Sequence, residues 1–212
     1  ASRAAMSSMK GRISAATSFA RLHIVPRLPA FMEEHPGLDL ELILDDRVID
    51  MVEEGVDVAL RMGALSDSSA TARKLAAGRR LLVATPAYLA HAGTPANPAE
   101  IAGHQAVVYT RYEAAHWTFR HAGGAEASVS VGGRLRVTAA EGLRAAVLAD
   151  MGLAVASEWM FTRKLASGAV VPVLPDWALP PIDLWALFPS GRLTSAKARA
   201  FADYVAGVLR AG

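Results

Sequence analysis

The 212-residue chain contains no cysteine. Disulfides, thiolate catalysis and cysteine-ligated metals are thereby excluded. It has no apolar run of the ~18 residues that a membrane-spanning helix needs. Its first ten residues lack the apolar core of a signal peptide, so a cytoplasmic location is expected. Internal repeats, low-complexity tracts and long linkers are missing. So are the G-x-S-x-G, H-E-x-x-H, G-x-G-x-x-G and P-loop patterns that carry nucleophilic, metal or phosphate chemistry. His23, His35, His91, His104, His116 and His121 are scattered, and no two share the i, i+4 spacing of a helical metal pair. Neither a metal nor a cofactor is expected, and an enzyme is not the expected class.

A packed core is what remains. Hydrophobic residues make up 52% and charged residues 20% of the chain, a globular balance. The formal net charge is only +2. Residues 38–60 carry eight acidic side chains and a single basic one, Arg47. Such a surface repels phosphate, so this chain is not expected to contact DNA itself.

The residue pattern alternates strand and helix. Gly11–Ala15 reads as a strand. Thr17 and Ser18 open a helix to about Glu34, which Pro26 and Pro29 bend and His35-Pro36-Gly37 stops. Leu38, Leu40, Leu42 and Leu44 alternate with Asp39 and Glu41 at strand period. A helix is expected next, with Asp45 or Asp46 as N-cap, Val48, Ile49, Met51 and Val52 inside, and Gly55 as stop. Val58–Arg61 is a strand. Right-handed crossovers make these three strands parallel, and ligands bind beyond the carboxyl ends of such strands.

After Arg79–Thr85 the alternation restarts. Gln105–Tyr109, Trp117–Arg120, Ala127–Val131, Arg134–Val137, Leu153–Ala156 and Val170–Leu174 read as strands. Thr138 to Glu141 reads as a capping box for a helix reaching Asp150. Ser157 caps another helix. Leu184–Phe188 and a helix from Ser195 to Leu209 close the chain. The expected architecture is two α/β lobes, residues 11–83 with 181–212 and residues 84–180, after a lead-in at 1–10. The chain crosses between the lobes twice.

Candidate binding residues follow from the strand ends. A helix start offers amide donors and partial positive charge to an anion. Thr17 and Ser18 stand at one, where capping and ligand contact both remain open. Thr138 and Ser157 stand at two others. Arg61 could hold an anion bidentately, or pair with Asp57 or a residue of the acidic helix. Gly63, Leu65, Tyr109, Thr110 and Arg111 lie just beyond strands.

The run from Val48 to Gly63, containing Glu54-Gly55-Val56-Asp57-Val58-Ala59-Leu60-Arg61-Met62-Gly63, resembles the "EGxDVAxRxG" signature of LysR-type transcriptional regulators. Ala72-Arg73-Lys74-Leu75 and Ala84-Thr85-Pro86-Ala87-Tyr88-Leu89 resemble that family's "ARxL" and "ASPAYL". Gly11-Arg12-Ile13 and Pro26-Arg27-Leu28 resemble its opening. Ala149–Ala154 resembles its "AGxGIA", with Asp150 and Met151 as departures. The resemblance implies a type II periplasmic-binding-protein-like fold that binds a small-molecule effector, such as a carboxylate, in the interlobe cleft. It implies a homodimer, tetrameric in full-length members, in which the first lobe of one copy meets the second lobe of the other; the apolar Ser18–Glu34 helix and the small-residue Ala139–Asp150 helix are compatible with such a pairing. It also implies that DNA is contacted only through an N-terminal winged helix-turn-helix that this sequence does not contain. A solute-binding protein of a transport system shares the fold and is the alternative reading.

Overall fold

The alternating leucines of residues 38–44 form an edge strand. Its leucines turn toward one face and its acids toward the other. The computed structural model describes residues 9–65, 71–110, 116–190 and 193–210. These form two units, residues 1–77 with 183–212, and residues 78–182.

The first unit is built on a five-stranded sheet in the order Leu38–Leu44, Met9–Ala15, Val58–Met62, Ile182–Phe188, Thr71–Gly78. The first three strands are parallel, and Ile182–Phe188 runs antiparallel to Val58–Met62. The last of the five, Thr71–Gly78, lacks strand alternation and was not expected from sequence. It is an exposed edge, and Arg73 and Lys74 tie it to Asp203 and Asp183. Ile13, Ala15, Val58, Leu60 and Leu184 are buried with Phe19, Ile24 and Phe31 of the first helical segment and Phe201 and Val205 of the C-terminal helix. Phe31 meets Phe201 edge-on at 5.5 Å, the preferred geometry for an aromatic pair.

Both prolines of the first helical segment act as expected. An α-turn at Thr17–Phe19 passes into a π-segment, Ala20–Ile24, a 3₁₀ turn, Val25–Arg27, and an α-helix, Leu28–Glu34. The helix expected after Asp45 is a correction: only turns occur at residues 51–55. The Asp45 carboxylate accepts from Arg47 Nε at 2.9 Å and the Asp46 carboxylate from Thr17 N at 3.0 Å, so neither caps a helix there. Asp50 does the local capping instead, taking the amides of Val52 and Glu53 at 2.9 Å each. Val48 and Val52 lie in water rather than inside. Gly55, expected as that helix's stop, ends the turn at φ 63° instead.

In the second unit, Leu135–Val137 and Val107–Tyr109 pair in parallel. A parallel bridge from Ala106 to Leu153 leads to Ala154–Ser157, which lies antiparallel to Arg80–Ala84, and Val171–Pro172 follows. A small antiparallel sheet of Trp177–Ala178, His116–His121 and Glu126–Ser130 completes the unit. Leu143, Ala146 and Val147 of the Ala140–Leu148 helix pack on Val83, Val107, Ala154 and Phe161. Ala146 is therefore a core residue, not the exposed small residue expected of a helix that meets a second copy.

At the end of that helix Asp150 sits at φ 60°, where the family pattern has glycine and where an L-residue is strained. Its carboxylate is held by the Thr85 hydroxyl, which also caps the helix Pro86–Ala92 by accepting from Tyr88 N at 3.2 Å. The hydrogen bond offsets the strain. Asp150→Gly should lose the bond but relieve the φ cost, leaving stability within about 1 kcal/mol of the parent. Asp150→Ala keeps the strain and loses the bond, and should cost about 1–3 kcal/mol. Urea unfolding of the three proteins checks this, and equal losses for Gly and Ala would show that the clasp offsets nothing.

Candidate functional site

The parallel register places the carboxyl ends of three strands on one edge of the first unit. Ala15 lies beside Leu44 and beside Leu60. The segments that follow, Ala16-Thr17-Ser18, Asp45-Asp46 and Arg61-Met62-Gly63, are gathered there. Asp45 N donates to Ala15 O at 3.1 Å, and Thr17 N to the Asp46 carboxylate, so two of the three segments are joined by hydrogen bonds. The N-cap position is Ala16, which has no side chain to cap with; Asp46 supplies the acceptor from the neighbouring segment.

Thr17 is therefore not the cap. Ser18 is 3% exposed, and its hydroxyl has no hydrogen-bond partner. A buried hydroxyl without a partner is costly. It is the outstanding polar atom of this edge.

Arg61 does not pair with Asp57. Its Nη2 donates to Ser14 Oγ at 2.8 Å and its Nη1 to Leu60 O at 3.2 Å. Asp57 lies four residues back along the strand and accepts from Arg12 N at 2.8 Å and from Lys197 Nζ at 2.9 Å. Gly63, at φ 97°, donates its amide to Asp183 O at 2.9 Å and accepts from Trp185 Nε1 at 3.1 Å. A side chain at this position would be strained by that φ. Leu65 is 37% exposed.

The second unit repeats the arrangement. Tyr109 pairs with Val137, and Thr110 folds back so that its amide and hydroxyl both donate to Val137 O, at 2.9 and 3.2 Å. Thr138 is exposed and stands at the same edge. The capping box foreseen there is a correction. Ala139 remains extended, at φ −125° and ψ 139°, and is the N-cap, with no side-chain cap. Glu141 then falls at the second helical position, one short of where a box needs it. Ser157 ends the neighbouring strand and is the N-cap of Glu158–Ala166, as expected, but its hydroxyl makes no cap bond. Tyr109, Thr110, Thr138 and Ser157 thus share the carboxyl edge of the second unit's parallel strands. Arg111 lies outside the described residues.

Among the described residues no cluster of His, Asp and Glu could hold a metal ion, and no helix is long and apolar enough to cross a membrane. The buried phenol of Tyr88, on the Pro86–Ala92 helix, is hydrogen-bonded to His104 Nδ1 at 3.1 Å and raised in pKa by burial. It is a packing feature. The signal that sequence reading missed is Asp46, an acid from a different segment that completes the helix start of Thr17.

Asp46→Ala should leave the Thr17 amide without its acceptor and lower stability by about 0.5–2 kcal/mol, the usual cost of losing a helix cap. Asp46→Asn keeps an oxygen acceptor and should cost less. Guanidinium unfolding curves decide the order, and an Asn variant as unstable as Ala would show that the charge alone matters.

The description "LysR substrate binding domain" fits residues 7–210 of the chain. The chain is 33% identical over 193 residues to the HTH-type transcriptional regulator PtxR of Pseudomonas aeruginosa, covering 91% of this chain and 62% of that protein. It is 32% identical over 196 residues to the HTH-type transcriptional regulator DmlR of Escherichia coli, covering 92% and 63%. The chain thus spans about three fifths of the length of these relatives. Among solved structures, CrgA, a LysR-type transcriptional regulator from Neisseria meningitidis, superimposes with a TM-score of 0.85 at 27% identity, over 96% of this chain and 69% of that one. Full-length AphB, the Vibrio cholerae virulence activator, gives 0.79 at 30% identity, over 95% and 69%. These relatives are regulators, not enzymes. The chain belongs to the LysR substrate-binding domain family and is the effector-binding domain of a LysR-type regulator, with a type II periplasmic-binding-protein-like fold.

Proposed function

We propose that this domain senses a small-molecule effector, and that binding modulates DNA contact by a helix-turn-helix elsewhere in the parent protein. The single observation that carries the reading is Ser18: a buried hydroxyl without a partner, at the carboxyl edge of parallel strands, where ligands of α/β sheets bind. The relatives' status as transcriptional regulators supports this over a transport solute-binding protein.

A carboxylate is the proposed effector class. Each candidate helix start already carries an acid of the protein, Asp46 at Thr17, Glu141 in the first turn after Ala139 and Glu158 in the first turn after Ser157. The cation that serves an anionic ligand is then Arg61, oriented by Ser14. Thermal-shift screening of the chain against small aliphatic and aromatic carboxylates tests the reading. A carboxylate that stabilises it should bind Ser18→Ala more weakly by about 0.5–1.5 kcal/mol and Arg61→Gln by about 1.5–3 kcal/mol, the net values of neutral and charged hydrogen bonds. If the amide of the same acid binds as well as the acid, Arg61 does not read the charge.

A homodimer belongs to the same proposal. Phe19, Ile24 and Phe31 turn into their own core, while Val25 and Met32 stay 42% and 44% exposed on the same helical segment. Ala145 and Ala149, unlike Ala146, are exposed on the other helix. Val25→Glu should release monomers without altering the melting temperature, because an interface core disfavours an unpaired charge. Light scattering at tens of micromolar reads the mass, and a monomeric parent chain would remove the dimer from the proposal.

A further inference from the structure

Three large apolar side chains are more exposed than any other among the described residues: Leu193 at 99%, Val48 at 86% and Val52 at 65%. The next, Met151, is 47% exposed. All three belong to the first unit, and two of them, Val52 and Leu193, line a cavity of about 170 Å³. Met51, Val56 and Pro189 continue its apolar wall, and Asp57 also lines it. Isolated exposed apolar residues are ordinary, but a group of them around a concavity marks an interaction site.

This cavity lies away from the effector edge. Val56 and Asp57 precede the strand Val58–Met62, and Pro189 follows Ile182–Phe188, which runs antiparallel to it. The groove is therefore at the amino edge of the parallel strands, opposite Arg61 and Gly63.

Charge selects the occupant. Asp50, Glu53 and Glu54 are exposed on the turn that carries Val52. Among the described residues Glu53 and Glu54 form no direct ion pair, and Glu54 acts on Arg47 only at longer range. Asp50 spends one oxygen on the amides of Val52 and Glu53 and forms no ion pair among the described residues. Asp57, by contrast, is already neutralised by Lys197. Such a rim repels nucleic acid. It also disfavours a twofold pairing of the groove with itself, because an isologous contact sets the acidic turn against its own copy.

We propose that this groove docks a basic amphipathic helix of a partner protein. One apolar side chain of that helix enters the cavity between Val52 and Leu193, and lysine or arginine side chains a turn away meet Asp50, Glu53 and Glu54. Apolar anchors at helical spacing give the affinity, and the rim charges give the sign preference.

The probe is a fluorescein-labelled peptide of about 18 residues, with leucine on one helical face and lysine on the other, titrated against the whole chain at ~0.15 M salt. Saturable binding at one site is expected. Val52→Asp, Leu193→Asp and the double variant Glu53→Lys/Glu54→Lys should each weaken it at least ~10-fold, with unchanged melting temperatures because the replaced side chains are exposed. The same peptide with glutamate for lysine should bind at least ~10-fold more weakly. The proposal is overturned if the basic peptide does not saturate, or if the variants or the acidic peptide bind as well. A dimer mass that Leu193→Asp abolishes would also overturn it, by giving the groove to a second copy.

Discussion

The parallel register of Met9–Ala15 with both Leu38–Leu44 and Val58–Met62 is the constraint on which the first unit depends. With Ala15 beside Leu44 and Leu60, the chain must leave all three strands at the same edge. Three turns, at residues 16–18, 45–46 and 61–63, then share one surface. The second unit obeys the same rule through Val107–Tyr109, Leu135–Val137 and the bridge to Leu153. Neither edge needs a special loop to bring its polar groups together, since strand direction does so. The cost falls on close backbone contacts. At Gly152, φ 151°, an added Cβ would meet Gln105 O at 2.3 Å, and Leu153 N donates to that same oxygen at 2.9 Å. Only glycine lets the parallel bridge form.

Much of this was legible because hydrophobic period is set by burial, which the sequence records directly. The leucines of residues 38–44, the hairpin around His121-Ala122-Gly123-Gly124 and the amphipathic C-terminal helix all read correctly, the last within one residue at each end. What was illegible involved side chains with two possible partners. Asp45 and Asp46 have the right type and spacing for an N-cap, but one is taken by Arg47 and the other by Thr17, a partner 29 residues away. Val48 and Val52 fit a helical stripe, yet no core lies beneath them, and a stripe without a core does not make a helix stable. Thr138 and Glu141 fit a capping box, but the strand pairing of Val137 carries the extended backbone on through Ala139. In each case tertiary competition overrode a local signal that was real.

The site residues divide in the same way. Strand-end logic brought Thr17, Ser18, Arg61 and Gly63 to one edge and Tyr109, Thr110, Thr138 and Ser157 to another, since it depends only on direction. It could not assign hydrogen bonds. Arg61 was open to Asp57, but alternation along Val58–Met62 puts Arg61 on the sheet face of Ser14, which pairs with Ala59, and Asp57 beyond the strand's far end. The guanidinium reaches the hydroxyl, and Asp57 is left to Lys197 and the Arg12 amide. The unpartnered state of Ser18 was equally invisible, because a missing bond has no sequence signature.

The strand Val58–Met62 links the two surfaces of the first unit. At ~3.3 Å per residue it spans about 16 Å, from the groove beside Asp57 to the edge at Arg61. Coupling between such surfaces requires an element with two arrangements. This strand is held at both ends. Asp57 is fixed by a backbone amide and an ammonium group, and beyond Met62 the Gly63 amide and carbonyl are bound by Asp183 and Trp185. Between them, Ala59 and Leu60 are buried and paired on both sides. Sliding the strand by one residue would exchange its two faces, placing Arg61 where Leu60 now packs. Any coupling between the proposed effector edge and the proposed groove would therefore have to run through loops or side chains, not through a shift of this strand.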